Sequence, residues 1–185
     1  MNGITLMMEE HGNIKRMLVV MRKACLAVLN GQEIDYDDFE SMIDFVKNYA
    51  DNHHHGKEEK ILFNRMIDEI GGAAEKLVRH GMLVEHDLGR LHIMNLKEAL
   101  GKLKMGDEEA KLDVIANAVS YTHLLSRHID KEDNAAYPYA KRGLSEGTLD
   151  SINQECGIFE QEQEEKGIQK KYLQILERLE KKYVR

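Results

Sequence analysis

Apolar residues recur along much of this chain at steps of three and four, the spacing of one face of an α-helix. The first stripe reads Ile4, Met7, His11, Ile14, Leu18, Met21, Cys25, Val28. It predicts a helix from about Ile4 to Asn30, stopped by Asn30-Gly31. The second reads Phe39, Ile43, Val46, Ala50, His54, Glu58, Ile61, with Asp35 or Asp37 as its cap and an end near Gly71-Gly72. The third reads Val78, Met82, His86, Gly89, Ile93, Leu96, Leu100, Leu103 and stops at Met105-Gly106. Gly81 marks a kink or a late start in it, and Asp107 is placed to cap the next helix. The fourth reads Val114, Ala118, Tyr121, Leu125, His128, Glu132, Ala135, and Pro138 ends or kinks it. A highly charged fifth helix is predicted from about Thr148 to Lys182, closing on Leu173, Ile175, Leu176 and Leu179. The pattern is that of an all-α protein. It predicts an up-down-up-down antiparallel four-helix bundle over residues 1–147 and an additional C-terminal helix over 148–185, packed outside the bundle or on a second subunit in a homodimer.

Composition agrees with this and removes some functions. One proline and no tryptophan in 185 residues suit long helices better than sheets. The net charge of −7 argues against a nucleic-acid partner, which needs a basic face. No stretch approaches the roughly 20 apolar residues of a membrane span. The N-terminus lacks the charged leader and apolar run of a signal peptide. Two cysteines, Cys25 and Cys156, make no disulfide framework and fit a reducing cytoplasm.

Six polar residues fall on the apolar stripes: His11, His54, Glu58, His86, His128 and Glu132. A buried carboxylate without a partner costs several kcal/mol, and two facing each other repel as well. Metal cations would neutralise such a cluster directly. The spacings repeat. His54 and Glu58 are four apart, as are His128 and Glu132, which puts each pair on one helical face. His11 precedes His54 by 43 residues, and His86 precedes His128 by 42. Glu10-His11 matches Glu85-His86, and His54-His55-Gly56-Lys57-Glu58-Glu59 matches His128-Ile129-Asp130-Lys131-Glu132-Asp133. A duplicated helical hairpin, its halves facing across a pseudo-twofold axis, would supply two imidazoles and one carboxylate from each side. Two glutamates can bridge two metal ions and four imidazoles can terminate them, leaving open positions. This donor set suits iron, and also manganese or zinc. His55 and Glu59 form a competing pair one residue out of register.

Together these motifs resemble the hemerythrin-like proteins, the HHE cation-binding family, over roughly residues 4 to 140. The resemblance implies a four-helix bundle holding two iron ions, oxo- or hydroxo-bridged, with His11, His54, Glu58, His86, His128 and Glu132 as ligands. Two departures from the family's oxygen carriers stand out. Those proteins have a fifth histidine where this chain has Met82, and an aspartate five residues after the last histidine, where Glu132 here comes four after His128. The site is similar to the bacterial four-histidine branch, which includes nitric-oxide-responsive and iron–sulfur-repair proteins. The repair proteins often carry an N-terminal cysteine-bearing domain that this sequence lacks.

The expected function is binding or sensing of a small ligand, namely oxygen, nitric oxide or peroxide, at a carboxylate-bridged centre. The alternatives are an iron-handling or iron–sulfur-repair-type protein and a diiron oxidase or peroxidase. Ferritin-type oxidases use Glu-x-x-His pairs, and the order here is His-x-x-x-Glu.

Overall fold

The computed structural model describes residues 2–184, and these are helical almost throughout, with no strand among them. Helix α1 (Gly3–Leu29) starts at Asn2, whose side chain accepts from the Thr5 amide at 2.9 Å. Helix α2 (residues 36–70) is capped by Asp35, which accepts from the Asp38 amide at 3.1 Å. It ends at Gly71, whose φ of 63° suits a residue without a Cβ. Helices α3 (residues 72–104) and α4 (residues 110–143) come next along the chain. Asp107 does not cap α4 with its side chain; its carbonyl accepts from the Ala110 amide instead.

Two apolar layers hold the helices together, and a polar belt lies between them. One layer takes Ile14 to Val28 of α1, Phe39 to Ala50 of α2, Ile93 to Leu103 of α3 and Ala110 to Ile129 of α4. The other takes Ile4 and Met7, Ile61 to Met66, Ala74 to Met82, and Ala136 to Ala140. Helices α1 and α3 therefore run from the second layer to the first, and α2 and α4 run back. This is the alternation expected of an antiparallel bundle. The residues that interrupt each stripe, at 11, 54–58, 86 and 128–132, sit between the layers.

Three helices widen locally, through backbone bonds that skip five residues instead of four. In α2 the Asp51 carbonyl accepts from Gly56 and the Glu58 carbonyl from Phe63. In α3 Val78 accepts from Leu83, which is how the helix passes Gly81 without stopping. In α4 Glu132 accepts from Tyr137, just before Pro138, and the helix continues through the proline to Gly143.

The C-terminal segment differs from expectation. Instead of one additional helix there are two, α5 (Glu146–Glu165) and α6 (Ile168–Tyr183), separated by Gly167 at φ 69°. A left-handed residue breaks the helix, and α6 carries on past α2 in the direction α5 began: Glu155 meets Arg65, Glu160 meets Lys57, and Arg178 meets Asp38. Tyr172, Leu176 and Leu179 of α6 are buried in the first apolar layer against α1 and α2, and Ile152 and Cys156 of α5 are buried in the second. Both cysteines are buried free thiols. Among the described residues no helix is long and apolar enough to cross a membrane.

Candidate metal centre

All six polar residues of the stripes are brought together, one or two from each of α1 to α4, and each is almost wholly buried. His11, His54, Glu58 and Glu132 each offer a donor atom within 4.8 Å of the others'. A second group within the same distance joins His86, His128 and Glu58 with His55. Glu132 faces both groups: its Oε2 lies 3.3 Å from His11 Nε2, and its Oε1 lies 3.0 Å from His128 Nε2. Glu58 Oε2 stands between His54 Nε2 at 3.7 Å and His86 Nε2 at 3.5 Å. The other oxygen of Glu58 accepts the hydroxyl of buried Tyr137.

The outer ring nitrogens are as ordered as the inner ones. His11 Nδ1 meets Asp133 at 2.7 Å, His54 Nδ1 meets Glu10 at 2.8 Å, His86 Nδ1 meets Glu59 at 2.7 Å, and His128 Nδ1 meets Glu85 at 2.9 Å. A carboxylate on Nδ1 keeps the proton there and turns the Nε2 lone pair inward, the arrangement metal-ligating histidines use. Lysines in turn grip two of the acids, Lys57 holding Glu10 and Lys131 holding Glu85. The two halves match in these groups. Glu10, Lys57 and His54 correspond to Glu85, Lys131 and His128, and Asp133 on His11 corresponds to Glu59 on His86.

The inner face lacks what it needs from the protein alone. His11 Nε2, His54 Nε2, Glu58 Oε2 and both oxygens of Glu132 are buried and accept or donate no hydrogen bond. His86 and His128 face each other Nε2 to Nε2 across 3.0 Å, two nitrogens of the same kind where a cation would sit between them. Burial, then the charge of Glu132, pushes the Glu58 carboxyl well above the ordinary carboxylate range. Burial opposes charge on Glu132 too, but His128, His11 and His86 hold it well below that range. Burial and then the charge of His11 push His54 down to about 4, so it is a neutral, lone-pair donor at neutral pH. Buried imidazole nitrogens and facing carboxylate oxygens left without hydrogen-bond partners fit metal cations.

Glu58 and Glu132 each open a widened turn, so the two halves share that irregularity as well. The residues of the two competing registers, His54/Glu58 and His55/Glu59, do not divide as pairs. His54, His55 and Glu58 all face inward, and Glu59 faces outward to His86 and Arg90. A third cluster, Glu10, His53 and Glu160, already has its cation, because the Lys57 ammonium bonds both carboxylates. Met82 packs in the second apolar layer. His80 is exposed, His92 pairs with Asn117, and His123 pairs with Arg22 at the surface. Tyr121 lines a cleft of about 300 Å³ with Val46, His55, His86, Gly89 and Ile93, its buried hydroxyl unpartnered.

Sequence reasoning missed the carboxylates on the outer nitrogens. Their signal was present in the repeat, since Glu10 and Glu85, and Glu59 and Asp133, occupy matching places beside matching histidines.

The family model for the hemerythrin HHE cation binding domain matches residues 2–140. No curated protein and no solved structure matches the chain.

Proposed function

Since the chain belongs to the hemerythrin HHE cation-binding family, and so carries a cation-binding site, we propose that the site holds two iron ions and binds a small ligand: oxygen, nitric oxide or peroxide. The observation that carries this reading is the placement of Glu132, one oxygen toward His11 and the other toward His128. A carboxylate so placed is suited to span two cations, and Glu58, between His54 and His86, is suited to do the same. His11, His54, His86 and His128 are the terminal ligands in this reading. Four imidazoles and two shared carboxylates are too few to fill two six-coordinate ions, which leaves room for an outside ligand. Iron bound here supplies reversible one-electron chemistry and affinity for diatomic molecules.

The chain's own residues do the rest. Asp133, Glu10, Glu59 and Glu85 orient the imidazoles and raise their basicity. Tyr137 donates to Glu58 and fixes the carboxylate plane. The two apolar layers shut water out above and below the belt.

The test is iron content followed by spectroscopy. Protein loaded anaerobically with ferrous iron should hold about two irons per chain, and its absorption and electron paramagnetic resonance should change on adding nitric oxide, oxygen or peroxide. A loaded protein whose spectra ignore all three would overturn the ligand reading.

One contact favours a sensory role over simple storage. Glu160 of α5 bonds Lys57, which bonds Glu10, which holds His54. A change in charge at the metal is thereby felt at the C-terminal helices within three side chains.

A further inference from the structure

We infer that His55 is a fifth imidazole ligand, so that the centre is unequal, with three imidazoles at one metal and two at the other. This rests on the two-iron reading above and adds to it.

Position is the first argument. His55 offers a ring nitrogen within 4.8 Å of donor atoms of Glu58, His86 and His128, and it is 5% exposed. Its chain neighbour His54 belongs to the other group. Adjacent residues on a helix diverge by about 100°, so they can straddle the inward line and serve two metals. Glu58, four residues after His54 and three after His55, lies between them and is common to both groups.

The outer nitrogen is the second argument. Every inward histidine has its Nδ1 on a carboxylate, and His55 shares the pattern, meeting Asp51 at 3.3 Å. The other histidines do not. His53 uses Nε2 on Glu10, His92 meets an amide, and His123 meets a guanidinium. Arg90 grips both Asp51, at 2.7 Å, and Glu59, at 2.6 Å, so the acids behind His55 and His86 are fastened to one group. The two rings are nearly parallel, 10° apart with centroids 3.8 Å from each other. His86 Nε2 lies 3.5 Å from Glu58 and 3.0 Å from His128 Nε2, and a ring nitrogen of the stacked His55 falls in the same group.

The two halves differ at this position. In the repeat the counterpart of His55 is Ile129, a buried aliphatic residue that can ligate nothing. The extra nitrogen therefore comes on one side only. The metal at His55, His86 and His128 is the fuller one.

A role limited to stacking on His86 is the rival explanation, and His55→Phe separates the two, because it keeps the ring and removes the nitrogen. Wild type loaded with iron-57 should give two Mössbauer doublets of unequal quadrupole splitting. In His55→Phe one doublet should move while the other stays, and one of the two irons should bind about tenfold or more weakly against a chelator. His55→Ala should behave alike, and free imidazole, entering by the cleft beside Tyr121, should restore the wild-type doublet. Circular dichroism reports that each variant is folded. Two irons in wild type with an unshifted His55→Phe spectrum would sink the fifth ligand and leave the two-iron centre standing. Fewer than two irons in wild type would sink both.

Discussion

At the scale of residues, the centre is a set of groups that destabilise the protein unless a cation joins them. Glu58 and Glu132 are fully buried and share a space with the unpaired Nε2 atoms of His11 and His54. Neutralising one carboxylate should relieve the metal-free protein. Glu58→Gln keeps an oxygen for the Tyr137 hydroxyl and drops the charge, so the metal-free variant should melt at or above metal-free wild type. Loaded with iron the order should reverse, because the amide ligates poorly and metal affinity should fall by about 10–100-fold. Calorimetry of both proteins with and without metal checks this; a metal-free variant that melts well below wild type would refute it. The six stripe residues were legible in the sequence because a histidine or glutamate among Leu, Ile and Met breaks a strong periodicity. Glu10, Glu59, Glu85 and Asp133 were not, because an acid just off the stripe resembles any surface acid until the repeat is used to pair it.

At the scale of elements, the helices and their order followed from periodicity, and their irregularities did not. One widened turn changes the repeat over about five residues, too few to separate from a regular helix by pattern alone. The break at Gly167 escaped for a related reason, since the charged residues around it fit a helix on either side. The last helix is fastened to the start of α2 by a buried acid. Asp38 accepts from Arg178 at 2.6 Å, from Lys182 at 2.5 Å and from the Tyr183 hydroxyl at 2.9 Å. Burial alone would raise its carboxyl, yet these donors hold it below the ordinary 3.8. A depressed folded value means the contribution is whole above pH 3.8 and is lost as pH falls through the folded value. The protection of α6 amides, measured as exchange relative to the unstructured chain at the same pH, should therefore fall below that pH in wild type. Asp38→Asn should exchange faster at neutral pH already and lose little further protection on acidification. An α6 that exchanges equally in both proteins at neutral pH would show that the clamp does not fasten it. Arg178 and Lys182 are about half exposed, so added salt should shrink the difference.

At the scale of the whole molecule, the polar belt divides one protein into two apolar layers, and the metal site is their common boundary. Cations bound at 1,000 times their dissociation constant would contribute about 4 kcal/mol. For a chain of this size that is about 8–16 °C of thermal midpoint. Chelation should lower the midpoint by that order and re-addition of iron should restore it; a midpoint indifferent to metal would mean the layers cohere without the belt. The bundle and the symmetry of its halves were visible in the sequence, whereas the burial of α6 in the first layer was not, since its charged surface masks a short apolar edge of Tyr172, Leu176 and Leu179. The crossed acids have a consequence for ancestry. Each hairpin orients one imidazole with its own glutamate and leaves the other to an acid on its counterpart, Asp133 serving His11 and Glu59 serving His86. A gene for a single hairpin would encode half a machine, completed only when two identical products met, and fusing two copies end to end makes that meeting permanent.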